Sequence, residues 1–151
     1  MPWVVDRIRS GFSKDLIAKI RSESDSGKRN NLKSELTSIC FSGVFRKRND
    51  RSIQSHSGYM VADFDHVEDM PTLRQTLEGD PYTCLLFTSP SGDGLKLVVR
   101  IPAIIKDHKA RFAALMQYFN RPDFDPKNGN ISRVCYESYD PDVYYNPDSK
   151  I

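Results

Sequence analysis

Asp63 and Asp65 stand two residues apart near the end of the apolar run Tyr59 to Asp65, which reads as a β-strand. That spacing sends both carboxylates to one face, while Met60, Ala62 and Phe64 leave from the other toward a core. Two like charges this close call for a compensating cation. Mg²⁺ or Mn²⁺, held by hard oxygen ligands at about 2.1 Å, is one answer. Metals held this way can activate a 3′-hydroxyl and stabilise a pyrophosphate leaving group. The other answer is a cation on a neighbouring strand, for which Lys96 and Arg100 are placed. His66 points away from the pair if the strand continues, and is read as a loop histidine.

Two further segments carry candidate chemistry. Thr88 to Lys96 (Thr-Ser-Pro-Ser-Gly-Asp-Gly-Leu-Lys) joins two apolar runs. Gly92 and Gly94 permit positive φ and close backbone approach. Ser89, Ser91 and the turn amides can cradle phosphate oxygens, and Lys96 supplies a charge suited to a triphosphate. The spacing is not that of a P-loop, because a strand and not a helix follows; a plain hairpin would use the same residue types. Ser132 to Asp142 is a strand running into an acidic turn. Asp140 would complete a carboxylate triad, with Asp142 as the alternative, and Arg133 could hold a phosphate or base bidentately. Strict alternation puts Arg133 and Asp140 on opposite faces, so both serve one site only if the strand ends or bulges between them. Asp140-Pro141 makes an early end reasonable, and a turn-capping role for Asp140 stays open.

The elements that must position these residues follow from pattern. Helices are expected at 13–24 (Phe12, Leu16 and Ile20 at helical spacing) and at about 28–37, then a strand or strand-turn from Ile39 to Phe45. A polar loop from Arg46 to His56 carries Arg46, Lys47, Arg48 and Arg51. Beyond it come strand 59–65, helix 68–79 with Pro71 in its first turn, strands 81–88 and 95–101, helix 106–119, a Pro/Asp/Gly/Asn loop at 121–130, and a last strand at 132–138. The order β-α-β-β-α-β is the split β-α-β, ferredoxin/RRM-like pattern. The expected class is α+β, with an antiparallel sheet and N-terminal helices. The domain division expected is one unit over 1–151, with a helical part at about 1–38 and a catalytic-type core at about 39–148.

Composition narrows the class. A chain of 151 residues with 38% hydrophobic and 28% charged residues has room for one core and is not disordered. No run approaches the ~20 apolar residues of a membrane span, and Met1 to Arg7 lacks a signal-peptide stretch, so the cytoplasm is the expected location. Cys40, Cys84 and Cys135 are odd in number, far apart and without a CxxC pair; they read as reduced core thiols. Residues 1–51 hold 12 Lys/Arg against 6 Asp/Glu, while residues 52–151 hold 10 against 14. A basic front beside an acidic rear suits a nucleic-acid grip next to a metal site, and equally an ordinary solvated surface.

Taken together, these segments resemble the archaeo-eukaryotic primase, or primase-polymerase, superfamily. Its DxD strand is matched by Val61-Ala62-Asp63-Phe64-Asp65, its small-residue turn by Ser89 to Lys96, and its later acidic element by Tyr139-Asp140. Within it the chain is most similar to the VirE N-terminal-like domain of mobile-element primase-helicase proteins, in its Ile-Cys-Phe-Ser-Gly, Asp-x-Asp-His, Ser-Pro-Ser-Gly-x-Gly-Leu-Lys and Ser-Tyr-Asp-Pro-Asp blocks. The resemblance spans roughly residues 28–148. It implies Mg²⁺ or Mn²⁺ on Asp63, Asp65 and Asp140, and triphosphate on Ser89, Ser91, Gly92, Gly94 and Lys96, with Arg133 a weaker match. It also implies a DNA template on the basic loop (Arg46, Lys47, Arg48, Arg51), and a helicase or ATPase domain in the full-length protein. The expected activity is template-dependent primer or DNA synthesis. One departure stands out: Lys96 occupies the place of the superfamily's second-motif histidine.

Three rival readings follow from the same residues. The first is a nucleotide- or nucleic-acid-binding module of the same fold without catalysis, toward which Lys96 points. The second is a replication-initiator nuclease, which needs a histidine pair flanking an apolar residue; His56, His66 and His108 form none in sequence, and Tyr139, Tyr144 and Tyr145 would be its nucleophiles. The third is an interaction domain that binds neither metal nor nucleic acid.

Overall fold

The computed structural model describes every residue from Met1 to Ile151. The architecture is α+β, with N-terminal helices and an antiparallel sheet. Three short helices come first: α1 (Pro2–Ser10), α2 (Lys14–Ser22) and α3 (Ser26–Ser34). The first was not among the expected elements. Pro2 pre-sets its first turn, Val4, Val5 and Ile8 form a buried stripe, and Gly11 closes it in the left-handed conformation at φ 78°. For α3, the Asp25 carboxylate accepts from the Lys28 amide.

The expected strand at 39–45 splits into β1 (Ser38–Ile39) and β2 (Gly43–Phe45), and the expected polar loop contains β3 (Ile53–His56), paired with β2. The main sheet is built from β4 (Tyr59–Phe64), β5 (Thr83–Thr88) and β6 (Leu95–Arg100), plus two residues near the C-terminus. Helix α4 (Met70–Glu78) joins β4 to β5, its N-terminus capped by the Asp69 carboxylate on the Thr72 amide. Helix α5 (His108–Phe119) follows β6 and ends on Asn120 in the left-handed conformation.

Strand β6 lies between β4 and β5, antiparallel to both. The fourth strand differs from expectation. Of the run 132–138, only Cys135–Tyr136 is extended enough to pair; it forms β7 and joins β1 outside the sheet. The sheet's fourth place, beside β5, belongs to β8 (Tyr144–Tyr145). The reason is local. Glu137 gives its amide to the Thr37 carbonyl and its carboxylate to Arg7 and Ser13, so the chain is drawn toward the helices before it can run along the sheet.

Both faces of the sheet are covered. Met60, Ala62 and Phe64 of β4, with Leu86, Leu97 and Val99, pack against α4 and α5. Phe64 meets Phe119 and Phe124 edge-on at 5.7 and 5.4 Å. Val61, Leu85, Phe87 and Val98 face the other way, onto Val4, Val5 and Ile8 of α1 and onto Cys135. Full burial of each such side chain stabilises by roughly 1.5–3 kcal/mol, so α1 is the lid of a second core. Helices α2 and α3 close a third, smaller cluster around Ile17, Ile20 and Leu36. No helix is long and apolar enough to cross a membrane. Cys84 and Cys135 are buried free thiols and Cys40 is half-buried.

Candidate functional site

Antiparallel register sets Asp63 of β4 directly opposite Lys96 of β6. Both side chains leave the face covered by α1, and Lys96 Nζ lies 2.6 Å from Asp63 Oδ2. Burial works against the charge of Lys96, but the carboxylates of Asp63 and Asp65 outweigh it and its pKa is raised. Arg100, the other candidate partner, instead donates to the carbonyls of Pro147 and Ser149. Beneath the pair, burial pushes the Cys135 thiol up to about 12, which makes it an inert core group.

The loop after α5 completes the surroundings of Asp63. Its amides and carbonyls clip onto the free edge of β4: Asp65 N–H donates to Asp123 O, and Asp125 N–H to Asp63 O, each at 2.9 Å. Asn128, 2% exposed, donates from Nδ2 to Asp63 Oδ2 at 2.9 Å. Asp63 Oδ1 and Asn128 Oδ1 are then left as buried oxygens without a donor. Buried acceptors are normally matched, so two orphans in hydrogen-bonded neighbours mark a place prepared for a donor or a cation.

Asp65 sits just past the strand end. Burial raises its pKa and Asp63 and Asp125 add to this, against the pull of Lys96. The turn between β5 and β6 folds over the same end. Val67 N–H donates to Asp93 O at 2.9 Å, and a side chain at Gly94 would place its Cβ 2.2 Å from the Phe64 carbonyl oxygen, so only glycine fits there. Gly92 adopts φ 85°. Ser89 is buried with its Oγ unpartnered, while Ser91 and Asp93 line an open cleft of about 280 Å³. His66, at φ 53°, also lines it and holds Asp93 Oδ2 at 2.9 Å.

The opposite wall of that cleft is helix α3, which supplies Arg29 and Lys33. Burial lowers the Lys33 pKa; Asp93 opposes this, and the neighbouring cations Lys96 and Arg29 add to it. Arg29 and Lys33 thus face Asp65 across the cleft, near enough to Lys96 for its charge to reach Lys33. Asp65 and His66 also line a second cleft, with Glu68, Asp69, Asp123 and the Arg121 that pairs with Asp123 at 2.7 Å. Arg29 and Lys33 were absent from the expected phosphate residues, although their i,i+4 spacing on a polar helix puts them on one face. Arg21 was missed as well. It donates to the carbonyls of Ser89 and Tyr139 and packs on Gly92, so it splints the turn.

Asp140 does not join Asp63 and Asp65. It is 4% exposed; its Oδ2 accepts from Arg74 and from the Thr88 amide at 2.7 Å, and its Oδ1 from the Asp142 amide at 3.0 Å. Burial works to raise its pKa, but the Thr88 amide and Arg74 outweigh it and the pKa is lowered. No group of three or more His, Cys, Asp or Glu side chains is arranged to hold a metal ion. Mg²⁺, however, commonly takes only one or two protein carboxylates and completes its shell with substrate phosphates and water. The Asp65 carboxylate, which no hydrogen bond uses, and the unpaired Asp63 Oδ1, which is closed to solvent here, are the oxygens available for that smaller requirement; Asp140, with both oxygens engaged, offers none.

Of the remaining expected residues, Arg133 stays close to the site, because its ion partner Asp125 is also the residue whose amide bonds the Asp63 carbonyl. Arg133 is half-buried and faces Asp125 at 3.9 Å. Arg46, Lys47, Arg48 and Arg51 are exposed on the β2–β3 connection and form no ion pair. His56 and His108, unrelated in sequence, meet at 3.0 Å.

With this geometry in hand, one family profile matches. It is the one described as BT4734-like, N-terminal domain, over residues 31–145, and the chain belongs to that family. No curated protein and no solved structure matches the chain.

Proposed function

We propose that this member of the BT4734-like, N-terminal domain family is a nucleotidyltransferase of the primase-polymerase type. It would bind a nucleoside triphosphate as its divalent-metal complex at the Asp63–Asp65 end of the sheet and join it to a growing strand on a DNA template. The observation that carries this reading is the division of charge around Asp65. A cleft lined by Glu68, Asp69 and the Arg121–Asp123 pair and a cleft lined by Arg29 and Lys33 both open onto Asp65, and Asp63 beside it keeps an oxygen without a donor. A polyanion that brings its own cation matches both clefts at once. The split unit of β4, α4, β5 and β6 supports the ferredoxin/RRM-like core that this chemistry uses.

Each residue then has a task. Asp63 Oδ1 and Asp65 would hold Mg²⁺ or Mn²⁺. Bound there, the ion neutralises phosphate charge and lowers the pKa of an attacking 3′-hydroxyl. Lys96 fixes the Asp63 carboxylate through Oδ2, so that Oδ1 stays directed to the ligand. Arg29 and Lys33 receive the phosphates, with Ser91 and the amides at Gly92 as neutral donors. Arg21 and Gly94 hold the turn against β4. Asp140 acts at a distance, by fixing the end of β5 through the Thr88 amide.

A second reading is kept for one observation: Asp63 is already neutralised by Lys96, and Asp140 by Arg74. A domain with its carboxylates so occupied can bind nucleotides without joining them. Incorporation of labelled nucleotides on a single-stranded template, with Mg²⁺ or Mn²⁺, separates the two. Synthesis by the wild type and none by Asp65→Asn supports transfer. No synthesis by either, with nucleotide binding retained, supports the binding module. Equal synthesis by both would remove the site assignment altogether.

A further inference from the structure

A second cavity, of about 370 Å³, shares no lining residue with the clefts beside Asp65. It lies at the N-terminal end of α5, and its walls carry Lys106, Lys109, Lys127 and Asn130, with Asp50 and His108. The three lysines are exposed and form no ion pair. Asp50 is spoken for, since its Oδ1 accepts from both the amide and the hydroxyl of Ser132. Three lysines against Asp50 leave positive charge dominant; the N-cap residue of α5, Asp107, makes no capping hydrogen bond and has Arg111 at 3.8 Å.

His108 supplies the specific feature. It is 5% exposed, yet it reaches the cavity wall. Its hydrogen can be placed by following a chain of bonds. The Gly58 amide donates to His56 Nδ1 at 2.9 Å, so that nitrogen is an acceptor and the neutral ring carries its hydrogen on Nε2. His56 Nε2 lies 3.0 Å from His108 Nδ1 and so donates to it. His108 must then carry its own hydrogen on Nε2, where the protein offers it no acceptor. Burial, with His56 adding and Asp50 opposing, pushes the His108 pKa down to about 4, so the ring is neutral at pH 7 and the direction of the relay is fixed. A backbone amide thus orients, through one imidazole, the N–H donor of a largely buried histidine at a lysine-lined cavity.

The cavity also borders the exposed cations of the β2–β3 connection, because Asp50 belongs to both. We propose that this cavity seats a backbone phosphate of a nucleic-acid strand. The His108 Nε2–H donates to the phosphate, Lys106, Lys109 and Lys127 neutralise it, and Arg46, Lys47, Arg48 and Arg51 hold its neighbours along the strand. The proposal rests on the nucleic-acid part of the reading above and on none of the residues assigned to nucleotide transfer.

The test is a titration of the whole chain, ¹⁵N-labelled at histidine, with a short single-stranded oligothymidylate and separately with inorganic phosphate. The imidazole ¹H–¹⁵N correlations are followed, beside binding measured over a range of salt. The oligonucleotide should move the His108 Nε2–H signal and leave that of His66 in place. Lys109→Gln/Lys127→Gln should weaken binding at least about tenfold and flatten the dependence of log K on log salt by about one. Asp65→Asn should bind the strand as the wild type does. Unchanged binding in the double-lysine variant, or a His108 signal that the strand does not move, overturns the proposal. So does a signal moved by inorganic phosphate when the strand does not bind, because the cavity then takes a free anion. Loss of incorporation with strand binding intact leaves this site standing and counts only in the choice between transfer and binding at Asp65.

Discussion

Asp140 and the Asp63–Asp65 pair are the same residue type in comparable strand-end settings, yet the fold treats them in opposite ways. Asp140 is buried with three donors on its two oxygens, and its pKa is lowered. Asp63 keeps one buried oxygen without a donor, and the pKa of Asp65 is raised. A carboxylate matched on every side is a strut: it ties α4 to the end of β5 and has nothing left for a ligand. A carboxylate with unmatched oxygen stores a demand that folding leaves unmet. Number and spacing of acidic residues do not separate the two cases; the donors around them do.

The largest effect on stability is expected where the two roles overlap. Asp63 is both half of a near-buried ion pair and the carrier of the orphan oxygen. Asp63→Ala would strand the ammonium of Lys96 and unpair the Asn128 amide, at a cost of about 3–5 kcal/mol. Urea unfolding of Asp63→Ala should show this, and Asp63→Ala/Lys96→Met should recover most of it. A single variant as stable as the wild type would mean that Lys96 finds another partner. Asp140→Ala should cost less, about 2 kcal/mol, because the Arg74 side chain is 20% exposed, keeps Glu78, and can turn to water. The ranking matters more than either value. If Asp140→Ala were neutral, its donors would not depend on it and its role as a strut would fall.

Much of the sheet was legible because its signals are local. The 2-residue alternation of β4 and β6 assigns Met60, Ala62 and Phe64 to one face and Asp63 to the other, and the short turn between β5 and β6 fixes the register of those two strands. The α1 helix was not legible from spacing alone, since its stripe is three residues in nine and its purpose, a lid on Val61, Phe87 and Val98, is set by residues far along the chain. The strand expected at 132–138 failed for a related reason. Its apolar pattern is adequate, but Arg7, 130 residues away, takes the Glu137 carboxylate and diverts the backbone. The site divides along the same line. The facing of Asp63 by a cation on a neighbouring strand could be read from type and spacing. Arg29, Lys33 and Asn128 enter through tertiary packing, as does the pairing of His56 with His108.

Substitution at Asp65 sharpens the comparison from the other side. Its side chain reaches solvent, though the protein crowds it enough to desolvate it in part, and no hydrogen bond uses it, so Asp65→Asn should change stability by less than about 0.5 kcal/mol, toward greater stability. Relief of repulsion from Asp63 and Asp125 gives that sign. Incorporation should nevertheless fall at least about 100-fold if Asp65 holds the metal. Stability loss with activity retained would exchange the roles of Asp65 and Asp140.

The smallest effect, and the most direct reading of the difference, is in titration. Followed by carboxyl ¹³C shifts, Asp65 should titrate with its midpoint above the ordinary value of 3.8, and Asp140 below it. The consequences for stability have opposite signs. A folded-state pKa below the unfolded one means that Asp140 contributes stability above pH 3.8 and loses it as pH falls through its own lowered midpoint. A folded-state pKa above the unfolded one means that charged Asp65 destabilises the fold at neutral pH, and acidification through its raised midpoint relieves the strain. Mg²⁺ competes with protons for carboxylate oxygen, so millimolar Mg²⁺ should draw the Asp65 midpoint down and leave that of Asp140 where it was. An Asp140 midpoint that moves with Mg²⁺ would show Arg74 giving way to the ion, and the strut would then be a third ligand after all.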